Sequence, residues 1–486
     1  MAEKAIYHVE DPLDPTVNDH TVDEKEKAVA DADRIYDAQA EKRLLRKIDL
    51  RLIPIVVLLH TVSLIDRTNI SAARVAGLDE DLNLDIGYRA SVVMLTFFIG
   101  YIAFDIPSNI LLRKIGSARF LGFITFAWGV VTIGIGCVRS WIPLALLRVL
   151  LGVFEAGNTP GSIFLVSAWY RKFEVQTRLG YYYLFSMGLS SFSNILAYGI
   201  VKIHTSPFWV GWRWLFIVEG LLTAVLGIIA YIFLVDFPDS PKNKFLTEDE
   251  KTMVADRLSA ERGIHESYKV TFKSTFMALS DWKLWACTYM YMSAAMGAYA
   301  FSFFLPLILK KSLGYSQVLA LCLSTPPALF AVIFSLITAK LSDKLQMRGP
   351  FIVFQGVIAV TGLAMTGYLK SAPARLVGIF LGYAGVNSLV PSTLAWQANN
   401  CREGRKRAVA SGLQIMFGAT GGLIASLIYR QQDAPGYLPG MATNMCVVSL
   451  TVVIAPILSW RVRKLNKEAD EGKRVLEGLE GYRYAW

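Results

Sequence analysis

The stretch WIPLALLRVLLGVFEAGNTPGSIFLV, residues 141–166, decides the fold class of this chain. It is long enough to cross a bilayer, since a spanning helix needs about 20 apolar residues. Its interior nevertheless holds Arg148 and Glu155, and a charged side chain costs about 2.5 kcal/mol or more at the membrane centre. The two residues are seven apart, so both point to the same side of a helix. Such charges usually line a protected cavity or pathway, although a buried structural ion pair with another helix would give the same pattern.

The composition indicates a polytopic membrane protein. Hydrophobic residues make up 54% of the 486 residues and charged residues 18%, against about 45–50% and 25% in soluble domains; the mean hydropathy is +0.41. The net charge of +10 comes from short basic clusters between apolar runs, which is typical of cytoplasmic loops and does not indicate nucleic-acid binding. The five cysteines are scattered. Neither a disulfide framework nor a metal site is therefore predicted, and no cofactor is expected.

Apolar runs of about 20 residues occur in two sets of six, separated by a charged segment. We number them spans 1 to 12, and they cover residues 51–72, 89–111, 118–138, 141–162, 178–200, 213–235, 284–309, 316–339, 350–369, 375–397, 407–429 and 440–460. Two sets of six around a polar linker are typical of a transporter built from two repeated halves. The predicted fold is therefore an all-α membrane protein with twelve transmembrane helices in two six-helix halves.

Domain boundaries and topology follow from these spans. We predict a cytoplasmic N-terminal tail at 1–50, an N-terminal half at 51–235, a cytoplasmic linker at 236–283, a C-terminal half at 284–460 and a cytoplasmic C-terminal tail at 461–486. Basic residues concentrate in the loops that this topology places inside, so both termini are expected to be cytoplasmic. In the linker, Thr247 followed by Glu250 indicates a capping box that opens a helix. The C-terminal tail either touches anionic lipid or is a plain solvated end.

The charged residues buried in the predicted spans lie in the N-terminal half, whereas spans 7 to 12 carry none away from their ends. At a rise of about 1.5 Å per residue, Asp66 and Arg67 lie roughly 23 Å along span 1 from its inner end. Arg148 and Glu155 lie roughly 10 Å and 21 Å down span 4 from its outer end. Arg148 is therefore predicted to share a level with Asp66 and Arg67, and Glu155 to lie nearer the cytoplasm.

Two arginines at one level predict a site for an organic anion, because a guanidinium can fork a carboxylate or phosphate and stays protonated. The carboxylates of Asp66 and Glu155 can take up and release protons, because their charge is costly in this space unless it is paired. Anion and proton would compete for the charge balance of one cavity, which predicts proton-coupled transport. For Asp66 and Arg67, a helix-end cap at the outer surface is the alternative.

Other polar residues in the spans have less certain roles. His60 is either a proton relay or a packed, hydrogen-bonded histidine. Asp105 is either a second carboxylate of the site or a tie between span 2 and a basic inner loop, and Glu219 is expected to be structural. The C-terminal half offers side chains suited to the uncharged part of a substrate: Tyr289, Tyr291, Tyr299, Asn387, Ser388, Ser392, Thr393 and Trp396.

Several segments together resemble the major facilitator superfamily. They are LIDRTNISAA in span 1, DIPSNILLRKIG closing span 2, LLRVLLGVFEAGNTPG in span 4, WRWLFIVEG opening span 6 and AKLSDK after span 8. Within that superfamily the chain looks like the anion:cation symporters, in particular the fungal branch of allantoate, nicotinate and pantothenate permeases, over about residues 45–465. The resemblance implies the major facilitator fold and transport by alternating access.

The resemblance also implies roles for individual residues. It makes Asp66 and Glu155 the proton-linked carboxylates, and it assigns Arg67 and Arg148 to the substrate anion. Polar residues of spans 7 and 10 tend to complete the pocket in such carriers, which points to Tyr289 and Asn387. The sequence departs from the family pattern in span 11, where Ala419 stands in place of an expected asparagine, so the substrate can differ from that of relatives.

The predicted function is proton-coupled symport of a small monocarboxylate, such as a vitamin or a nitrogen source. The expected partners are this organic anion, protons and membrane lipid, and the expected location is a fungal plasma membrane, with the protein a monomer. An exporter of an acidic metabolite and a non-transporting nutrient receptor are the alternatives. An enzyme is not predicted, because no nucleophile, phosphate-loop or metal-ligand motif stands out.

Overall fold

The computed structural model describes residues 38–203, 209–238, 240, 243, 245–262, 280–401, 404–477 and 481–486. The predicted tail before residue 38 and linker residues 263–279 lie outside these ranges. Within them, eleven helical rods are long and apolar enough to cross a membrane. Span 2, the helix Arg89–Ile115, is 27 residues long and completes the set of twelve in this part of the chain.

Each predicted span is confirmed as a helix or as two consecutive helices. Spans 1 to 6 are Ala38–Ala73, Arg89–Ile115, Ser117–Gly136, Trp141–Glu155 with Asn158–Trp169, Lys172–Ser190 with Ser193–Val201, and Gly211–Phe233. Spans 7 to 12 are Trp282–Leu307, Gln317–Cys322 with Thr325–Leu345, Gly349–Tyr368, Ala372–Asn399, Gly404–Ile428 and Leu438–Asp470. Helix 1 begins within the predicted N-terminal tail because that polar region is amphipathic, with Leu44 and Ile48 buried on its inward face. We call the end at which span 1 begins the inner end, following the predicted topology.

The two halves pair their spans in the same way. In the N-terminal half, span 3 packs on span 6, span 2 on span 4 and span 1 on span 5. In the C-terminal half, span 9 packs on span 12, span 8 on span 10 and span 7 on span 11. Adding six to each number of the first set gives the second set, which indicates an internal repeat. The halves meet where span 2 contacts span 11 and span 5 contacts span 8.

Close helix packing in the N-terminal half depends on glycine. Gly129 of span 3 faces the backbone of Gly220 and Ala224 in span 6, and a Cβ at Gly129 would overlap that backbone. Gly152 of span 4 faces the backbone of Phe97 in span 2 in the same way. Small residues allow such close approach in a bilayer, where van der Waals packing holds helices together. Span 4 is therefore held directly against span 2 at the level of its buried charges.

At the outer end, spans 1 and 7 close the bundle. Both helices finish in one π-helical turn, Arg74–Leu78 and Ile308–Ser312. From the second of these turns, Lys310 Nζ donates to the carbonyl oxygen of Val75 at 2.8 Å, and Lys311 Nζ lies 3.7 Å from Asp79 Oδ2. These contacts join the two halves at the outer end.

At the inner end, the described part of the linker packs on the N-terminal half. The predicted capping box is confirmed: the amide of Thr247 donates to Glu250 Oε2 at 2.9 Å, and the amide of Glu250 donates to Thr247 Oγ1 at 3.3 Å. It opens the helix Glu248–Arg262. Lys47 Nζ of span 1 lies 2.6 Å from Glu250 Oε2 and anchors this helix.

The C-terminal tail docks on the C-terminal half, so the prediction of a plain solvated end is wrong. The helix of span 12 continues to Asp470, and the chain then folds back along the inner end. Leu476 is buried, and Trp396 of span 10 donates from its indole nitrogen to the carbonyl oxygen of Ala485 at 2.9 Å. The tail folds back because its apolar and aromatic side chains find partners there.

Candidate functional site

The buried charges of spans 1 and 4 meet in one cluster. Arg67 Nε donates to Glu155 Oε1 at 2.5 Å, and Ser63 Oγ donates to the same oxygen at 2.5 Å. Glu155 is fully buried, and Arg67 is 7% exposed. The structure thus brings Glu155 and Arg67 together, and the bond from Ser63, one turn inward of Arg67, agrees with the expectation that Glu155 lies nearer the inner end. The arginine side chain reaches back by one helical turn, because side chains on a helix tilt toward its N-terminus.

Arg67 also contacts the other half of the protein. Its Nη1 donates to the hydroxyl of Tyr299 in span 7 at 2.9 Å. Its guanidinium carbon lies 4.9 Å from the ring centroid of Tyr101 and 5.6 Å from that of Phe97, both in span 2. Guanidinium groups are stabilised over aromatic faces, so these rings hold the cation away from water at the interface between the halves.

Arg148 lies beside this pair and is fully buried. Its guanidinium carbon is 5.2 Å from the ring centroid of Phe97, the ring that Arg67 also contacts. None of its three guanidinium nitrogens makes a hydrogen bond with the residues that the structure describes. Glu155 and Asp66 are the acidic groups close enough to interact with it electrostatically. Among the described residues the alternative of a buried ion pair with another helix therefore applies to Glu155, which pairs with Arg67 of span 1, and not to Arg148.

Asp66 points toward spans 3 and 6. Its Oδ2 accepts from the indole nitrogen of Trp128 at 2.9 Å and from Thr223 Oγ1 at 3.2 Å, and its Oδ1 accepts from Asn69 Nδ2 at 3.2 Å. It is 2% exposed, and the helix continues beyond it. The alternative of a cap at the outer helix end is therefore excluded. Glu219 of span 6, also buried, has Asp66 as its electrostatic neighbour.

The sequence model of the Major Facilitator Superfamily matches residues 56–426, which is most of the chain. The chain belongs to the major facilitator superfamily. It is 30% identical over 466 residues to the MFS-type transporter cnsO of Penicillium expansum, covering 93% of this chain and 89% of that one. It is 27% identical over 439 residues to the high-affinity nicotinic acid transporter of Saccharomyces cerevisiae, covering 90% and 80%. It is thus a membrane transporter and not an enzyme, as predicted.

Solved structures confirm the major facilitator fold. A bacterial homologue of the human lysosomal transporter Spinster, in an inward-facing and unoccupied conformation, superposes with a TM-score of 0.66 over 88% of this chain and 98% of that one, at 15% identity. The xylose transporter XylE of E. coli, in a partially occluded inward-open conformation, gives a TM-score of 0.64 at 13% identity, covering 85% and 99%. These likenesses concern the fold alone.

Two predicted pocket residues of this major facilitator protein lie apart from the charged cluster. Tyr289 donates from its hydroxyl to the carbonyl oxygen of Val447 in span 12 at 3.0 Å. Asn387 donates to the carbonyl oxygen of Tyr383 in its own helix at 2.9 Å. Tyr299 reaches the cluster instead. Helical rise explains this, because Tyr299 lies roughly 26 Å along span 7 and Tyr289 only roughly 10 Å, whereas Arg67 lies roughly 24 Å along span 1.

The two secondary candidates have different surroundings. The His60 ring stacks on Tyr182 with centroids 4.6 Å apart and meets Tyr183 edge-on at 5.4 Å, and neither imidazole nitrogen makes a hydrogen bond with described residues. His60 is therefore packed against aromatic rings, but it lacks the hydrogen bonds that the alternative of a packed, hydrogen-bonded histidine expects. Asp105 is half-buried one turn inward from Tyr101, and no ion pair ties its carboxylate to a basic loop among the described side chains. Both remain candidates.

Tyrosine hydroxyls surround the arginine more completely than the sequence indicated. Tyr101, Tyr183 and Tyr291 all lie close enough to Arg67 to interact with it electrostatically, in addition to the direct bond from Tyr299. They come from spans 2, 5 and 7. Depth along each span would have identified Tyr299, but the direction in which a tyrosine points requires the packing angles of the helices. The result is a cation enclosed by aromatic rings between the two halves.

Proposed function

We propose that this transporter carries a small organic monocarboxylate together with protons. The observation that supports it best is Arg148, a buried guanidinium whose nitrogens have no hydrogen-bond partner among the described residues. Leaving a buried charge unpaired is costly, and arginine donors match a carboxylate in fork geometry. Arg67 and Arg148 border the same Phe97 ring and are close enough to interact electrostatically, which supports assigning both to one anion site.

The coupling of transport to protons follows from the balance of buried charges. Glu155 is paired with Arg67 by a 2.5 Å contact. A substrate carboxylate that takes over Arg67 leaves Glu155 buried without a cation, and a buried lone carboxylate is stabilised by taking up a proton. Release of the substrate re-forms the Arg67–Glu155 pair and expels that proton. Asp66, which accepts three hydrogen bonds from neutral donors, is the second proton carrier in this scheme.

The aromatic surroundings favour a planar substrate. Tyr101 and Phe97 cover Arg67, and Tyr299 contributes a hydroxyl from the opposite half. Flat aromatic faces pack well against planar rings and leave hydroxyl groups at their edges for hydrogen bonds. An aromatic or otherwise planar monocarboxylate, such as a vitamin or a nitrogen source, fits such walls. The resemblance to a nicotinic acid transporter points the same way.

The finer assignments are part of the same proposal. We place the protein in the anion:cation symporter branch, in a fungal plasma membrane, as a monomer with both termini cytoplasmic. Tyr289 and Asn387 remain proposed pocket residues for a state in which the halves have moved, since alternating access changes which side chains face the cavity. His60 and Asp105 remain secondary candidates, and the departure at Ala419 is proposed to bear on substrate identity.

The test is uptake by the purified protein in proteoliposomes. Labelled nicotinate, pantothenate, allantoate and a dicarboxylate are offered with and without an inward proton gradient, and protein-free liposomes are the control. Gradient-driven accumulation of a monocarboxylate, abolished by a protonophore, supports the proposal. Uptake that ignores the gradient, or accumulation only when the gradient is reversed, contradicts symport and favours an exchanger or an exporter. Binding without any transport favours a receptor.

A further inference from the structure

A second group of buried polar side chains lies next to the charged cluster and has no part in the scheme above. His60, Asn158, Ser162 and Tyr182 are each at most 3% exposed. Both imidazole nitrogens and Asn158 Oδ1 make no hydrogen bond with described residues, and the hydroxyls of Ser162 and Tyr182 have at most each other as partners there. Buried polar groups are nearly always paired, so several unpaired ones together indicate a binding partner from outside the chain.

Helical spacing makes this group continuous with the arginine site. His60, Ser63 and Arg67 follow one another at intervals of three and four residues on one face of span 1. Arg67 itself points between the halves, because it bonds Tyr299. His60 therefore faces the same interface, about two turns toward the inner end.

Contacts between side chains connect the group across three spans. The His60 ring stacks on Tyr182 of span 5, and Asn158 Nδ2 of span 4 donates to the carbonyl oxygen of Leu59 at 3.3 Å. Ser162, one turn beyond Asn158, is close enough to Tyr182 for the two hydroxyls to hydrogen-bond to each other. We call these four residues, His60, Asn158, Ser162 and Tyr182, the polar subsite.

The polar subsite has both donors and acceptors and carries no carboxylate. The positively charged neighbour of His60 is Arg67, and no acidic group hydrogen-bonds to the imidazole in the described residues. A neutral imidazole offers one N–H donor and one nitrogen acceptor, and the tyrosine and serine hydroxyls can do either. The ligand group that matches is uncharged, able to hydrogen-bond, and flat enough to lie against the stacked rings of His60 and Tyr182.

We infer that the polar subsite binds the ring heteroatom of a heteroaromatic monocarboxylate whose carboxylate is held by Arg67 and Arg148. This inference rests on the proposed anion site and adds substrate class to it. His60 and Arg67 are seven residues apart, which corresponds to roughly 10 Å along the helix axis. That distance is comparable with the length of a pyridine monocarboxylate plus one hydrogen bond at each end.

The test compares two ligands that differ by one atom. Nicotinate has a ring nitrogen and benzoate has none, and both carry the same carboxylate. Binding to the purified full-length transporter is measured by isothermal titration calorimetry. The wild-type protein is expected to bind nicotinate about tenfold more tightly than benzoate, the size of effect that one buried hydrogen bond gives.

Substitutions then show which side chains cause the tighter binding of nicotinate. His60→Phe keeps a ring stacked on Tyr182 and removes both nitrogens. It is expected to weaken the binding of nicotinate about tenfold and to leave the binding of benzoate unchanged, so that the two dissociation constants become nearly equal. Tyr182→Phe removes one hydroxyl and is expected to weaken nicotinate alone by about threefold, which covers the case in which the first variant fails to fold. Thr61→Val is the matched control, because the Thr61 hydroxyl donates to the carbonyl oxygen of Val57 in its own helix.

The possible results separate the two proposals. Equal binding of nicotinate and benzoate by the wild type overturns the polar subsite but leaves the arginine site standing. Equal loss of both ligands in His60→Phe and Tyr182→Phe also overturns it, because the histidine and tyrosine would then act through packing. If neither ligand binds, while the protein remains folded by its thermal unfolding transition, the anion site fails for this ligand class and the subsite fails with it.

Discussion

Arg67 donates a hydrogen bond of 2.9 Å to Tyr299 and simultaneously pairs with Glu155 at 2.5 Å. One guanidinium thus joins the two halves of the transporter and neutralises the buried carboxylate of span 4. Whatever draws Arg67 away from Glu155 must also disturb the contact between the halves. This relationship links occupancy of the anion site to the relative movement of the halves that alternating access requires.

The contact between the halves can be tested with substitutions of two tyrosines. Tyr299→Phe removes the hydroxyl that accepts from Arg67, and we expect counterflow exchange of the substrate to fall about tenfold, since one buried charge-assisted hydrogen bond is lost. Tyr368→Phe, at an exposed position at the end of span 9, is the matched control. Exchange within about twofold of wild type is expected there. Equal effects of both changes would contradict the role of Tyr299.

Arg148→Lys tests the fork geometry at the anion site. Lysine keeps the positive charge but cannot donate two parallel hydrogen bonds, so we expect the affinity for the transported carboxylate to fall by about tenfold or more while the protein stays folded. The measurement is the dissociation constant from calorimetry together with the thermal unfolding temperature. Arg139→Lys, the same change at an exposed loop position, is the control. Unchanged affinity in Arg148→Lys would count against the arginine as an anion ligand.

Glu155→Gln separates coupling from binding. The amide cannot take up a proton, so we expect gradient-driven accumulation to disappear while counterflow exchange continues. Both are measured in proteoliposomes, and Glu80→Gln, at an exposed position of the outer end, is the control. Accumulation that persists in Glu155→Gln would move the proton coupling to Asp66 or Asp105.

The contacts between the outer ends of spans 1 and 7 predict that Lys311 holds these ends together. Its ammonium group lies 3.7 Å from Asp79 and 3.8 Å from Asp85 in the opposite half. Lys311→Gln removes this attraction, so we expect the outer ends of spans 1 and 7 to separate more often, seen as a longer distance population between spin labels placed on them. Lys370→Gln, an exposed lysine within the C-terminal half, should leave the distances unchanged. The same distances in both variants would show that Lys311 does not hold the closure.

A half-buried ion cluster at the inner end predicts that the stability of the protein depends on pH. Lys406 Nζ lies 2.8 Å from Asp281 Oδ2 and 2.8 Å from Glu477 Oε1. Burial alone would raise the pKa of Asp281 and of Glu477. The hydrogen bonds from Lys406, together with the charge of Lys283 and, for Glu477, the hydroxyl of Tyr484, outweigh burial and hold both pKa values below their ordinary range. Carboxyl groups with lowered pKa values stabilise the folded state above their unfolded pKa of about 4, and this stabilisation is lost as the pH falls below it.

Lys406→Met should therefore destabilise the solubilised protein by about 2 kcal/mol at neutral pH. We expect its unfolding temperature to lie several degrees below that of wild type at pH 7, and the difference to shrink below about pH 4, where the carboxyl groups become protonated in both proteins. Lys464→Met, at an exposed position near the end of the span 12 helix, is the control. A difference that stays constant from pH 7 to pH 3 would contradict the electrostatic origin.

The sequence by itself determined the fold and the identity of the charged residues. Twelve apolar runs in two sets of six were sufficient, because a bilayer permits only helices of that length and makes each buried charge conspicuous. Spacing along a helix also placed Arg148 and Glu155 on one side, and the capping box of Thr247 and Glu250 was local enough to be read directly.

Tertiary structure alone decided which of these residues meet. Glu155 pairs with Arg67 and not with Arg148, and Tyr299 reaches the cluster whereas Tyr289 does not. Depth along a span can be counted from the sequence, but the rotation of one helix about its axis relative to another depends on packing such as that of Gly152 against Phe97. Side-chain partners across helices depend on those rotations, and no local pattern in the chain encodes them.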